Sequence, residues 1–155
     1  FEREAAQRLT NSSDDARGAL MFIDLNDFKK INDKYGHAAG DRLLNISVER
    51  LQQSLRLNDI IGRLGGDEFV VLVPDVDPQV AEKLAIRLTS TLEQPYRIVG
   101  KDLICAASIG LALYPEHANT LTGLMRAADA AMYRAKARCR DCTDLSDVNL
   151  LEKAG

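Results

Sequence analysis

The apolar run ALMFI (19–23) stops without transition at Asp24. A run apolar at consecutive positions, rather than alternate ones, predicts a strand covered on both faces. Such a strand needs a sheet with helices on either side. The rest of the chain supplies those elements. Residues 1–9 and 26–35 are patterned as helices, separated by the polar loop 11–15, and Gly36 is placed to stop the second. Leu44, Val48, Leu51 and Leu55 recur at helical spacing, as do Val80, Leu84, Leu88 and Leu92. Residues 60–64 and 68–73 are two strands joined by a tight turn, and Pro74 closes the second. Residues 96–99 and 103–113 form a further strand pair turning at Gly100-Lys101. A last helix over about 120–138 carries the small face Leu124, Ala128, Ala131 and Ala135. The expected fold is α/β (α+β): a single-domain sandwich with a central mixed β-sheet flanked by helices.

Length and composition agree with one soluble globular domain. The chain has 155 residues, 46% of them apolar and 28% charged. A net charge of −3 offers no global attraction to nucleic acid or anionic lipid, so neither is expected as a partner. No apolar run is long enough to cross a bilayer, and no signal-peptide pattern opens the chain, so a cytoplasmic location is expected. The start at Phe1, without an initiator Met, suggests a segment of a longer protein. Of the three Cys, Cys105 lies in an apolar run and is expected to be buried. Cys139 and Cys142 form a C-x-x-C pair, but the only His residues are His37 and His117, so two ordinary thiols fit better than zinc.

The acids carry the chemistry. Asp24 ends a buried strand, and Asp67 and Glu68 sit at the tip of an apolar hairpin. Carboxylates at the ends of buried strands are costly unless a cation compensates them. If the strand end and the hairpin tip are neighbours, three carboxylates converge. That donor set suits Mg²⁺, or Mn²⁺ in its place, and equally a two-metal phosphoryl-transfer site. The competing reading is of turn acids facing solvent. Gly65 and Gly66 before the pair allow close backbone approach to a ligand, which favours a site. Lys29 lies one helical turn beyond Asp24, and Lys136 and Arg140 are spaced i, i+4, so they could grip a triphosphate or simply complement a helix terminus.

The string GRLGGDEFVVLVP resembles the GGDEF family, whose members condense two GTP into cyclic di-GMP. FIDLNDFKKINDKYGHAAGD (22–41) and SIGLALYPEHANTLTGLMRAADAAMYRAK (108–136) are similar to further family segments in the same order. The resemblance spans residues 1–140 and leaves 141–155 as a tail or the start of a linker. The later segment also resembles GGDEF halves of tandem proteins carrying an EAL phosphodiesterase domain.

The resemblance implies a nucleotidyl cyclase or palm-like fold and a set of roles. Asp24, the Leu25 carbonyl and Asp67 would ligate metal, and Glu68 would ligate metal or share in catalysis with Asp67. Asn32 and Asp41 would read the guanine edge, with Phe28, Gly65 and Gly66 lining the GTP site. Lys29, Lys136 and Arg140 would hold phosphates. An Asp carboxylate and an Asn amide can complement guanine's mixed edge and would be left unpaired by adenine. Arg56 and Asp59 match the R-x-x-D pattern of an inhibitory site for the product. A homodimer, formed at least transiently, and flanking sensory or EAL domains are implied partners, and a membrane-anchored full-length protein is compatible. The chain departs from the family pattern at Asn26, where Asp is frequent, and at Cys139, where Gly is usual. The family's D-x-L-T-G-L-x-N-R segment is absent. A GTP- or cyclic di-GMP-binding regulatory module, and a purely structural dimerisation module, are the rival readings.

Overall fold

Every residue of the strand that ends at Asp24 is buried or nearly so in the computed structural model. The structure describes residues 1–11, 15–138 and 143–145. In chain order the elements are α1 Glu2–Thr10, β1 Gly18–Leu25, α2 Phe28–Tyr35, α3 His37–Ser54, β2 Ile60–Gly65, β3 Glu68–Pro74, α4 Pro78–Leu92, β4 Tyr96–Ile98, β5 Lys101–Leu103, β6 Ala107–Tyr114, α5 Leu121–Arg138 and β7 Thr143–Leu145. The main sheet runs β2-β3-β1-β6-β7. Its first three pairings are antiparallel and β6 pairs with β7 in parallel, so the sheet is mixed. The short strand β7 falls in the segment that the sequence leaves as a tail.

Side chains alternate across β1 with period 2. Ala19, Met21, Ile23 and Leu25 point into the larger core, packed by α2, α3, α4 and the β4–β5 hairpin. Leu20 and Phe22 point to the other face, against α1 and α5. The same alternation carries Asp24 to the α5 face. Register extends this to its neighbours, because Asp24 pairs with Glu68 on β3 and with Ser108 on β6. The fold thereby sets two acids and a serine side by side at one end of the sheet, under α5.

The small face of α5 is fully buried, as its sequence predicts: Leu124, Ala128, Ala131 and Ala135 are all at 0% exposure. What it packs on is Gly110 of β6. A Cβ at Gly110 would lie 2.0 Å from the Ala128 carbonyl oxygen and 2.2 Å from the Met132 nitrogen. The helix backbone therefore rests directly on the strand.

Two sequence expectations need correction. The strand expected over 103–113 is interrupted, with β5 ending at Leu103 and β6 starting at Ala107. Residues 104–106 leave the ladder to hold the turn after β1. Asn26 donates its N–H to the Ala106 carbonyl at 2.7 Å, and the Cys105 thiol donates to the Asn26 carbonyl at 3.1 Å. The buried stripe of α4 is Ala81, Ala85, Leu88, Thr89 and Leu92, whereas Val80 is exposed and Leu84 only half-buried. The helix turns its alanines inward, which lets it sit closer to the sheet.

Gly110→Ala is expected to destabilise the fold by about 1–3 kcal/mol, the usual cost of overpacking a well-filled site, because backbone atoms of α5 cannot move aside locally. A urea midpoint unchanged from the wild type would show that α5 does not rest on β6 in this way.

Candidate active site

The turn after β1 is clamped before any ligand is considered. The Leu25 N–H donates to the Asp67 carbonyl at 3.1 Å, tying the hairpin tip to the strand end. The buried Asn26 side chain donates to Ser108 Oγ at 2.8 Å. Asp27, at φ 62°, adopts the left-handed conformation that an Asp tolerates, and α2 starts at the next residue. At the hairpin tip the Arg63 guanidinium forks onto the Gly66 carbonyl, at 2.9 and 3.2 Å, while Gly66 takes φ 35°. These contacts hold Asp24, Asp67 and Glu68 on rigid backbone.

The three acids line one open depression of about 400 Å³, together with Asp129, Tyr133 and Lys136 from α5. Lys136 Nζ donates to Asp24 Oδ2 at 2.6 Å. Even so, the Asp24 carboxyl is raised from 3.8 to about 6, first by burial, with the nearby Asp67 carboxylate adding and Lys136 opposing. The same ion pair raises Lys136, with the Asp24 hydrogen bond as the largest cause. One ammonium offsets only part of the cost of keeping Asp24 charged, because Asp24 is 7% exposed at its side chain and Lys136 48%.

Asp24, Asp67 and Glu68 are the residues in this depression that could hold a divalent cation. The buried Asp24 carboxylate, with Asp67 and Glu68 lining the same depression, offers hard oxygen donors on its open side. Such a set suits Mg²⁺, which keeps waters and takes phosphate oxygens. Among the described residues no group of three or more His, Cys, Asp or Glu side chains is arranged to hold a metal ion by itself, so waters and ligand oxygens would have to complete the shell. Cys105 is a poor ligand, its thiol pushed up to about 12 chiefly by burial.

A second group of expected residues comes together where α2 meets α3. Asn32 Oδ1 is buried with no hydrogen-bond partner. It faces Gly40, where a Cβ would lie 1.7 Å from Asn32 Oδ1 and 3.2 Å from Phe28 Cζ. Asp41 follows Gly40 and is exposed, as is Lys29 on α2. Gly40 was not singled out from the sequence, although a small residue one position before a proposed reader is the available signal. Asp129, Tyr133, Arg63 and Ser108 were also missed, since each enters only through the sheet register or the docking of α5. Arg140, Cys139 and Cys142 lie outside the described residues.

Arg56 and Asp59 sit at the far end of β3, away from the acids. Arg56 donates to the Pro74 carbonyl at 2.9 Å and its own N–H donates to Asp59 Oδ2 at 2.8 Å. Asp59 is thereby 1% exposed at its side chain, and Arg56 59%. A larger hollow of about 480 Å³ opens at this end, beside Arg8, Gly18, Asn58 and Pro74, and holds none of the site acids. Size alone would favour it, but the perturbed carboxylate lies in the smaller depression.

A mixed sheet covered by helices on both faces, with strand-end acids under a helix-borne lysine, defines an α/β domain with an open acidic depression at one sheet end. The family model for the diguanylate cyclase GGDEF domain matches residues 1–142, and the chain belongs to that family. Its sequence is 48% identical over 128 residues to the bifunctional diguanylate cyclase/cyclic di-GMP phosphodiesterase MucR of Pseudomonas aeruginosa, covering 83% of this chain and 19% of MucR. It is 36% identical to the cyclic di-GMP phosphodiesterase NbdA of the same organism, covering 99% of this chain and 20% of NbdA. The solved GGDEF domain of P. aeruginosa TpbB superposes with a TM-score of 0.92 at 38% identity, covering 99% of this chain and 91% of that one. The chain thus spans about a fifth of the two curated relatives. Among the described residues no helix is long and apolar enough to cross a membrane.

The raised Asp24 carboxyl sets a pH dependence. Between about pH 4 and 6 the folded chain holds a proton that the unfolded chain has released, so stability falls as pH rises through that window. A shift of about two units corresponds to at most ~3 kcal/mol. Without divalent cations, Asp24→Asn is expected to remove this fall and to be more stable than the wild type at neutral pH. Urea unfolding of both proteins across the window checks it, and parallel profiles would count against the burial of a charged Asp24.

Proposed function

We propose that this domain condenses two GTP into cyclic di-GMP with release of pyrophosphate, in a Mg²⁺-dependent reaction across a homodimer. The observation that carries this reading is the Asp24–Asp67 pair, held at a strand end with Glu68 and Lys136 around it. Mg²⁺, or Mn²⁺, bound there would polarise the α-phosphate and favour the ionised 3′-hydroxyl.

The chain's own residues do the positioning. Asp24, Asp67, Glu68 and the Leu25 carbonyl would hold the metal. Lys29, Lys136 and Arg140 hold the phosphates, and the hairpin glycines let the backbone approach them. Asn32 presents a buried acceptor without a partner, and Asp41 a second acceptor; guanine offers both an N1–H and an exocyclic amine to them. Phe28 walls that pocket. The 3′-oxygen of one GTP bonds to the α-phosphorus of the other, the bond to the β-phosphate oxygen breaks, and the hydroxyl proton leaves to a base or solvent. Two such steps close the ring. Each domain holds one GTP, so two copies face each other. Arg56 and Asp59 form a separate product site, in which the exposed Arg56 fork takes phosphate or stacks on guanine.

A second reading has one observation in its favour. NbdA, whose name records only phosphodiesterase activity, matches almost the whole chain. By that reading the domain binds GTP and regulates a neighbouring domain. Turnover separates the two.

Glu68→Gln and Asp67→Asn are expected to stay folded and lose turnover by at least ~100-fold, the scale of a lost charge-stabilising group. The wild type is expected to bind GTP well ahead of ATP, and Asp41→Ala to narrow that difference. Wild-type turnover in either folded variant would defeat the assignment of the acids, and equal GTP and ATP affinities would defeat that of Asn32 and Asp41.

A further inference from the structure

The Asp24–Lys136 ion pair is unequal in a way that has a functional consequence. Asp24 is fixed, because it lies on a buried strand paired on both sides. Lys136 is retractable, because its side chain is half exposed on a flexible four-carbon stem in the last turns of α5. Its ammonium lies 2.6 Å from Asp24 Oδ2, while the exposed pairs Arg8–Glu4 and Arg97–Asp102 stand at 3.4 and 3.3 Å. The oxygen it covers is one that the proposed metal needs, and the ammonium itself is one that the proposed triphosphate needs. Both demands cannot be met while the pair is closed.

We propose that Lys136 is a placeholder cation: it neutralises Asp24 in the nucleotide-free domain, and leaves it for the phosphates when nucleotide and metal arrive together. This rests on the metal and triphosphate reading above. Two signs follow. Lys136 opposes binding of a divalent cation alone, since the cation must displace it. Lys136 favours binding of the cation with nucleotide, since the released ammonium gains phosphate oxygens. Metal and nucleotide are then coupled through one side chain, and coupling is reciprocal. An ion pair with no such role predicts no opposite signs. A general effect of positive charge near the depression would be shared by another cation on α5.

The test is titration with Mn²⁺ followed by electron paramagnetic resonance, with and without a non-hydrolysable GTP analogue. Without nucleotide, Lys136→Met and Lys136→Gln are expected to bind Mn²⁺ about five- to tenfold tighter than the wild type, the range expected when a close charged competitor is removed. Arg126→Gln, on an exposed position of the same helix, is expected to stay within about twofold. With the analogue present, the gain in Mn²⁺ affinity is expected to be smaller in the two Lys136 variants than in the wild type. If the Lys136 variants match the wild type without nucleotide, while Asp24→Asn loses Mn²⁺, the placeholder role is overturned and the metal site stands. An equal gain in Arg126→Gln also overturns it, in favour of a general charge effect. If neither the wild type nor the Lys136 variants bind Mn²⁺ with the analogue present, the metal reading and the placeholder fall together.

Discussion

Asp24 carries a charge at the end of a strand that is buried on both faces, and the ammonium laid on it comes from a helix that reaches it only because Gly110 has no side chain. The other features of the site depend on this arrangement. The register that buries Asp24 also aligns Glu68 and Ser108 beside it. The backbone bond from Leu25 to Asp67 draws the hairpin tip over the same point. Burial raises the carboxyl, and the raised carboxyl is what a cation relieves. Stability is given up locally to hold a charge at this strand end, and the two large cores on either side of the sheet supply the surplus.

Much of this was legible in the sequence, and for definable reasons. An apolar run broken by Asp24, and a hairpin whose tip is Gly-Gly-Asp-Glu, are local patterns that need only period 2 and turn chemistry to interpret. The small face of α5 was legible in the same way. The pairing of Lys136 with Asp24 was not, because the two are separated by 112 positions and meet only through the docking of α5 on Gly110. Gly110 itself sits in an apolar run, where a glycine gives no local signal of what it packs against. The break at 104–106 was hidden for a related reason: Ile104, Cys105 and Ala106 look like strand residues, and the bonds of Cys105 and Ala106 to Asn26 draw the segment out of the ladder. At Arg56 and Asp59 the R-x-x-D spacing does not reveal that the loop uses the Asp59 carboxylate to bind its own backbone.

The comparisons and the site geometry answer different questions. Family membership follows from a match over residues 1–142 and from a fold shared with the TpbB domain. Whether this chain turns over GTP is a separate question, since relatives of one fold bear cyclase and phosphodiesterase names alike. Within our account that decision lies with the acid pair and its cation.

The most direct measurement is incubation of the domain with GTP at high protein concentration, with and without Mg²⁺, and identification of the product by mass. The account predicts cyclic di-GMP and pyrophosphate with Mg²⁺ and neither without it. Unchanged GTP at every protein concentration, with the fold intact and Mg²⁺ saturating, would contradict it.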